Sequence, residues 1–525
     1  MRIQLRSIAI TLSIILFFFQ GCTHLGPEYH SVDVTPKLPS KWDHNLSKSD
    51  PSLLAWWKEF KDPTLDILMQ KAYEQNLDLE GAGARILQAR ALLGVNESLT
   101  TPQKRTITTS LMGVRNSGET FGNGGISFDS GWELDIWGKY ARGVESAEAG
   151  YYASIASYDH LLVSILSEVA RNYINYRTFQ ERRLYASQNI EIQKRIVKMT
   201  EVQYNSGTVS ELDVQQARTQ LYYLESNLPI FDLQSAQAVH AIAVLLGTVP
   251  EKITPIVKMP TPKIIPLSSK KISFVQLSND VKAPIHIPSI EIDTAKPISA
   301  GDLLRRPDLQ IAELQAISKN AQIGIAQAEL YPHFSLLGSI AINTNNATGD
   351  WLSPSKALTV GIGPSISWNP FYEDFYQNQV RVADAQFQES LINYNQKLLL
   401  AIQEVSNALE AYRLSKEQYD MNYKTIQASK RAFNLSSIQY DNGMVTYQRL
   451  LNTMENLVRS EDNIARTKGN IALHAISLYK ALGGGLSLAD SASMIRPEMA
   501  KAMKTRTDWG DLLDENHTKH PKIKE

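Results

Sequence analysis

From Gln103 to Leu228, and again from Phe371 to Arg496, the chain contains no proline. A helix that starts near Tyr140 therefore meets no breaker before Tyr204, about 65 residues on, and at about 1.5 Å per residue it extends for roughly 100 Å. Globular helices are far shorter, so such a rod belongs to a coiled coil or to the wall of a tube. The same phrase closes both rods. VQYNSGTVSELDV, at 202–214, returns as IQYDNGMVTYQRL at 438–450, so that Gln203, Tyr204 and Gly207 recur as Gln439, Tyr440 and Gly443 at an offset of 236. Earlier in the chain Asp78 aligns with Asp308, Ala82 with Ala312, Gly94 with Gly324 and Pro102 with Pro332 at an offset of 230. By Trp132 and Trp368 the offset is 236, and it holds to Gly247 and Gly483. The chain is thus two copies of one unit, the second copy having six residues (236 minus 230) added between Pro332 and Trp368.

Of the 525 residues 20% are charged and the net charge is −1, which offers no electrostatic case for binding nucleic acid. The single cysteine, Cys22, excludes an internal disulfide and a cysteine-held zinc or iron–sulfur centre. Arg2 and Arg6 precede the apolar run Ile8 to Phe19, and Gly21 stands before Cys22, the layout of a cleaved secretory signal over 1–21. FFFQGC is similar to the lipobox, in which the new N-terminal cysteine is acylated, although Phe19 and Gln20 replace the usual leucine and small residue. Lipidation of Cys22 is expected; the alternative is an ordinary signal followed by an inert cysteine. Beyond it no apolar run reaches the roughly 18 residues of a membrane helix, so a mature chain that crosses a bilayer does so with strands.

Each copy reads as helix, strand, strand, long helix, break, helix. Leu65, Leu68, Ala72, Gln75, Leu79, Ala82, Ile86, Ala89 and Leu93 follow alternating heptad spacings and predict one packed first helix. In GISFDSGWELDIW the apolar residues Ile126, Phe128, Trp132, Leu134 and Ile136 alternate with polar or small ones, and KALTVGIGPSISW repeats the pattern from Leu358 to Trp368. Partner strands are expected at Ile107 to Arg115 and Phe334 to Asn343. Such strands suit a membrane barrel with an aromatic girdle, although alternation alone favours a soluble sheet with one face on a core. The secretion signal and the over-long rods favour the barrel. Pro229 is expected to bend the returning helix of the first copy, where the second copy has Ala465. The addition around Asn345 to Ser355 predicts a long extracellular loop, with Gly118 to Gly125 as its shorter counterpart. The organisation reads as a signal at 1–21, a lipid-anchored segment at 22–62, a first repeat at 63–249, a proline-rich linker at 250–305 with short strands around Ile272 to Leu277, a second repeat at 306–485, and a polar, mobile tail at 486–525.

LGPEY, WWKEFKDPTLDILMQKA, NLDL followed by ARILQAR, WELDIWG, RRPDL, QYDNG and LYKALGGG occur in that order from about Cys22 to Gly485. Together they resemble the TolC-like outer membrane factor family of tripartite efflux systems, in its lipoprotein branch of NodT and OprM type. The resemblance implies a mainly α fold with a small β part. In it a homotrimer gives four strands per chain to an outer membrane β-barrel, and the long helices to a periplasmic barrel. Geometry agrees that one chain is not enough, because closing a barrel takes about eight strands. Gly207 and Gly443 stand where the rods reverse, since glycine accepts the left-handed conformation at a helix C-terminus. The family places these turns at the periplasmic tip, which would make Tyr204, Gly207, Tyr440 and Gly443 contacts for a periplasmic adaptor; the alternative is that they act only as caps and packing. The implied partners are that adaptor, an inner-membrane transporter of the RND type and outer membrane lipid, with no cofactor.

The resulting reading is a passive exit duct for small amphipathic compounds or metal ions. A same-fold conduit for type I protein secretion and a lipid-anchored adhesive coiled-coil trimer are the alternatives. No HExxH, GxSxG, GxxxxGK[ST] or GxGxxG sequence sits where strand passes to helix. Glu133 and Asp135 share a strand face and read as a lumenal acidic patch rather than a catalytic pair. In known relatives aspartates six and nine residues after the second tip glycine ring the aperture; here those positions hold Arg449 and Asn452. Asp213 is the first-copy equivalent of Arg449, since 213 plus 236 is 449. The expectation is a charge-assisted Asp213–Arg449 latch between neighbouring helix pairs, against the alternative of two solvated charges contributing roughly 0–1 kcal/mol.

Overall fold

The computed structural model describes residues 24–43, 51–258, 286–294, 297–347, 357–488, 493–514 and 518–520. Cys22, Ile272 to Leu277 and most of the added loop lie outside these residues. In chain order the helices and strands are α1 (Pro63–Gln75), α2 (Leu77–Ser98), β1 (Lys104–Asn116), β2 (Glu119–Glu133), α3 (Lys139–Asn205), α4 (Glu211–Leu245), α5 (Pro250–Val257), α6 (Ala300–Leu304), α7 (Pro307–Ala328), β3 (His333–Asn345), β4 (Leu358–Ser367), α8 (Glu373–Asp441), α9 (Tyr447–Ala481) and α10 (Pro497–Arg506). The unbroken rods are α3, of 67 residues, and α8, of 69. α4 stays helical through Pro229. The expected single first helix is instead two. Asn76 turns extended (φ −65°, ψ 127°), accepts from the Leu79 N–H at 2.9 Å and donates to the Leu245 carbonyl at 2.8 Å. The heptad seam survives the break, because Leu68, Ala72 and Leu79 remain buried while Gln75 is exposed.

The chain forms two compact units. The first comprises Met1–Asp33, Ala84–Ala156 and Asp308–Lys397. Its sheet has the order β1-β2-β3-β4, antiparallel throughout. Ser117 and Gly118, both at positive φ (52° and 89°), close the β1–β2 hairpin as a two-residue turn. The expected loop from Gly118 to Gly125 is therefore strand from Glu119 onward, and only the β3–β4 connection is long, running over 346–357. The apolar alternation was read on the right face, but that face is not a core. Leu111, Ile362 and Ile366 are 80%, 81% and 66% exposed. The opposite face is polar: Asp129 accepts from Ser127 at 3.0 Å and from Ser339 at 2.8 Å. A soluble sheet would cover its apolar face, and among the described residues nothing does.

Below the sheet the residues following Cys22 are tied down. Leu25 donates to the Trp137 carbonyl at 3.1 Å, and the Asn320 amide donates to the Pro27 carbonyl at 2.8 Å. Buried Arg142 reaches the Leu25 carbonyl at 3.1 Å and Glu28 at 2.8 Å. The Trp132 and Trp368 indoles donate to the Thr100 and Leu330 carbonyls, so each girdle ring is held by its polar edge.

The second unit comprises Val34–Gly83, Ser157–Pro307 and Leu398–Glu525 and is helical. One of its cores joins Ile196 of α3, Leu224 of α4, Phe433 of α8 and Leu450 and Met454 of α9. The tail corrects the expectation of a polar, mobile end. Met494 and Ile495 are each 3% exposed, Arg496 pairs with Glu80 at 2.6 Å and donates to the Asn76 carbonyl, and His520 bonds Asp159 at 2.9 Å. Two buried apolar residues inside a polar stretch leave no period to read. α4 carries an 18-residue stretch apolar enough to cross a membrane by composition, of which 33% is buried, although polar residues such as Asp232 and Gln234 interrupt the apolar run. It is apolar on two faces, one packed inside the unit and one open.

The open sheet face generates a test. If that face meets lipid, the charge of Ile362→Arg is expected to cost about 2–4 kcal/mol at a bilayer midplane. The folded fraction in outer membrane extracts should fall, whereas Thr359→Arg, on the other face, should leave it near wild type.

Candidate functional site: the two helix reversals

Each rod ends in the same hydrogen-bond pattern. At the end of α3, Gly207 donates to the Tyr204 carbonyl at 2.8 Å and Thr208 to the Gln203 carbonyl at 2.9 Å, with Gly207 at φ 75°. At the end of α8, Gly443 donates to the Tyr440 carbonyl at 3.0 Å and Met444 to the Gln439 carbonyl at 2.8 Å, with Gly443 at φ 70°. These paired bonds form the Schellman cap, which satisfies two otherwise orphaned carbonyls and needs a left-handed residue. The repeated Gln, Tyr and Gly thus encode a stop and a reversal.

The two reversals are not equivalent beyond the cap. Tyr204 is 44% exposed and Tyr440 only 3%. Tyr440 meets the Tyr447 ring edge-on at 6.0 Å within the helical core, whereas the first-copy equivalent of Tyr447 (447 minus 236) is Glu211. Without an aromatic partner Tyr204 stays outside. Burial pushes the Tyr447 hydroxyl up to about 12, and the charges of Tyr440 and Asp213 add to the shift. Asp213 therefore lies within electrostatic reach of the second reversal.

Asp213 has a local task that spacing did not show. Its Oδ2 accepts from the Ser210 N–H at 3.0 Å and the Ser210 hydroxyl at 2.9 Å, and its own N–H reaches the Ser210 Oγ at 3.4 Å, closing a capping box at the start of α4. Arg449 occupies the same position in α9 and has no acceptor atom to return a bond to the Thr446 N–H, and Thr446 caps that helix without a side-chain bond. Arg449 is exposed, and within the chain it forms no ion pair with Asp213 or any other described residue. Asn452, also exposed, accepts from Gln448 at 3.0 Å. Sequence reading missed the apolar residues at the reversals, Val202, Leu212 and Met444, which are 61%, 65% and 73% exposed. Their signal was an apolar residue off the buried seam.

Glu133 and Asp135 do not form the expected acidic patch. β2 ends at Glu133, and Asp135 accepts from the Tyr140 and Ala141 N–H groups at 3.0 and 2.8 Å, capping the start of α3. Glu133 accepts from the Tyr140 hydroxyl at 2.9 Å and bonds His333 at 2.7 Å.

The family model described as outer membrane efflux protein matches residues 68–248 and 302–484, one block for each repeat. Nodulation protein T of Rhizobium leguminosarum bv. trifolii is 26% identical over 431 residues, which are 79% of this chain and 85% of that protein. The pyoverdine export outer membrane protein OpmQ of Pseudomonas aeruginosa is 25% identical over 469 residues, 85% of this chain and 91% of that one. Among solved structures, the outer-membrane channel OprN superposes with a TM-score of 0.74 at 29% identity, covering 88% of this chain and 100% of that one.

No atom lies within 4 Å of a Cβ built on Gly207 or Gly443, so alanine there meets only the cost of its left-handed backbone, about 1–2 kcal/mol. Gly207→Ala and Gly443→Ala should each lower the thermal midpoint by a few degrees, additively in the double variant. Midpoints equal to wild type would mean that the glycines do not set the reversals.

Proposed function

The chain belongs to the outer membrane efflux protein family, and from that premise we propose that three copies close one outer membrane duct for small compounds leaving the periplasm. The observation that carries this reading is the four-stranded sheet, with its apolar face open and its first and last strands each unpaired on one side among the described residues. Three copies supply twelve strands, enough to close a barrel that four cannot. α3 and α8, each about 100 Å long, suit the wall of a periplasmic tunnel. The reversals then form its far end, where Gly207 and Gly443 set the turns and the exposed Tyr204, Leu212 and Met444 suit contact with a periplasmic adaptor. Tyr440 supports that end from inside. The adaptor in turn joins the duct to an inner-membrane transporter of the RND type.

An acylated Cys22 would hold the first residues beside outer membrane lipid, just ahead of the segment that Arg142 ties down. An adhesive rod has no use for a lipid-facing sheet. A protein-secretion conduit would differ only in cargo, and the export of pyoverdine, a small compound, named for one relative favours efflux. No catalytic role is assigned to Glu133 or Asp135, whose oxygens serve the helix start and the neighbouring side chains.

At the narrow end Arg449 and Asn452 from three copies would border the aperture. Oδ2 of Asp213 holds the Ser210 cap, which leaves Oδ1 to meet Arg449 of an adjacent helix pair and keep the resting duct shut. Planar-bilayer recording tests both parts. The wild-type protein should conduct in small, discrete steps; Arg449→Asp should raise the resting conductance several-fold, and adding Asp213→Arg should reverse the change. Silence of both the wild-type protein and Arg449→Asp would overturn the duct, and unchanged conductance in Arg449→Asp beside a conducting wild type would overturn the latch alone.

A further inference from the structure

Within the second unit α3, α4 and α9 line a cavity of about 560 Å³. Its apolar wall is Phe179 of α3, Ile230 and Phe231 of α4 and Leu473 of α9. Among the described residues, Arg182 and Arg466 are the only charged ones that line it. Both guanidinium groups rest on one carboxylate: Asp462 accepts from Arg182 Nε at 2.6 Å and pairs with Arg466 Nε at 2.8 Å. Arg182 also lies 4.7 Å from the centre of the Phe231 ring. Two cations against one anion leave this side of the cavity with positive charge in excess. Gln234 adds a second polar demand, because its Oε1 is buried and, among the described residues, has no hydrogen-bond partner. A buried acceptor without a donor is costly, and a donor entering the cavity would remove that cost. The repeat carries these groups once. At an offset of 236, Phe179, Arg182 and Phe231 correspond to Ser415, Gln418 and Thr467, and Pro229, within the lining stretch of α4, to Ala465. The second copy forms its helices without this cluster, so the rod architecture does not require it.

We propose that this cavity is a binding site for a small aromatic anion that also carries a hydroxyl or amide donor. The ring lies against the apolar wall, Arg466 takes the anionic group, and Gln234 accepts from the donor. A volume of roughly 300–1,000 Å³ is usual for sites that hold small organic ligands. The charge pattern selects among them. An organic cation would meet two guanidinium groups, and a neutral hydrocarbon would answer neither the excess charge nor the Gln234 oxygen. A sugar-like anion would leave the rings of Phe179 and Phe231 without a matching surface. Arg466 engages Asp462 through Nε, which leaves its terminal nitrogens for a bidentate anion. Its side chain is 57% exposed, against 11% for Arg182, so an anion reaches it without disturbing the more buried Arg182–Asp462 pair. Such a ligand touches helices of both repeats, α3 and α4 of the first and α9 of the second, and stabilises their packing by linkage. Every lining residue belongs to one unit, so the site takes its ligand whether or not the duct conducts.

Fluorescence titration of the full-length protein in its native assembly tests this with three probes: 6-hydroxy-2-naphthoate, 2-naphthoate, which lacks the hydroxyl, and 2-naphthol, which lacks the carboxylate. The wild-type protein should bind the first saturably, one per chain, several-fold more tightly than 2-naphthoate and about tenfold more tightly than 2-naphthol. Its thermal midpoint should rise with the concentration of that probe. Gln234→Met, which keeps the length of the side chain, should erase the preference over 2-naphthoate and leave the affinity for 2-naphthoate itself unchanged. Arg466→Gln, at an exposed side chain, should erase the preference over 2-naphthol. Absence of saturable binding of 6-hydroxy-2-naphthoate would overturn the site. Binding that both variants leave unaltered would do the same, since it would place the probe in the detergent or on the apolar sheet face. The comparison of probes on the wild-type protein needs no variant to fold, and equal affinity for all three would also overturn the proposal.

Discussion

Backbone hydrogen bonding in the absence of water governs this molecule. Inside a bilayer an unpaired N–H or C=O costs several kcal/mol, so membrane sheets must close on themselves. β2 and β3 are paired on both sides, but among the described residues β1 and β4 are each paired on only one. A sheet with lipid-facing Leu111 and Ile362 cannot remain open at both edges, and four strands cannot meet. The need for further copies, and with them a lumen, follows from that one deficit.

The repeat then shows how two copies of one unit come to do different work. The Schellman cap needs only a left-handed residue and is identical in both reversals. What surrounds it has diverged. Glu211 in place of Tyr447 leaves Tyr204 exposed while Tyr440 is buried, and Arg449 in place of Asp213 removes a capping box and frees a cation. Divergence at equivalent positions marks where the two halves meet different surroundings.

Much of the fold was legible because its period is strict. The proline-free stretch from Gln103 gave the first rod to within a residue or two, and alternation gave the apolar face of the strands but not the start or end of β2. The family placed them in an outer membrane. The failures have physical causes. Asn76 breaks a helix whose apolar seam continues, because its side chain caps the next turn and bonds Leu245, a residue 169 positions away. Asp135 was two residues from Glu133 and read as the same strand face, but the strand had ended and a helix start needed a cap. Met494 to Arg496 dock through contacts with Gly83 and Glu80 that no local pattern reveals. The tip glycines were legible from the repeat; the burial of Tyr440 but not Tyr204 was not, since it depends on a residue in the next helix.

Amide hydrogen exchange along the two edge strands tests the central claim most directly. If a neighbouring copy pairs each edge, the N–H groups on the outer sides of β1 and β4 in detergent-solubilised protein should be protected as strongly as those of β2 and β3. Exchange at the rate of free strands would contradict the closed barrel and the assembly built on it.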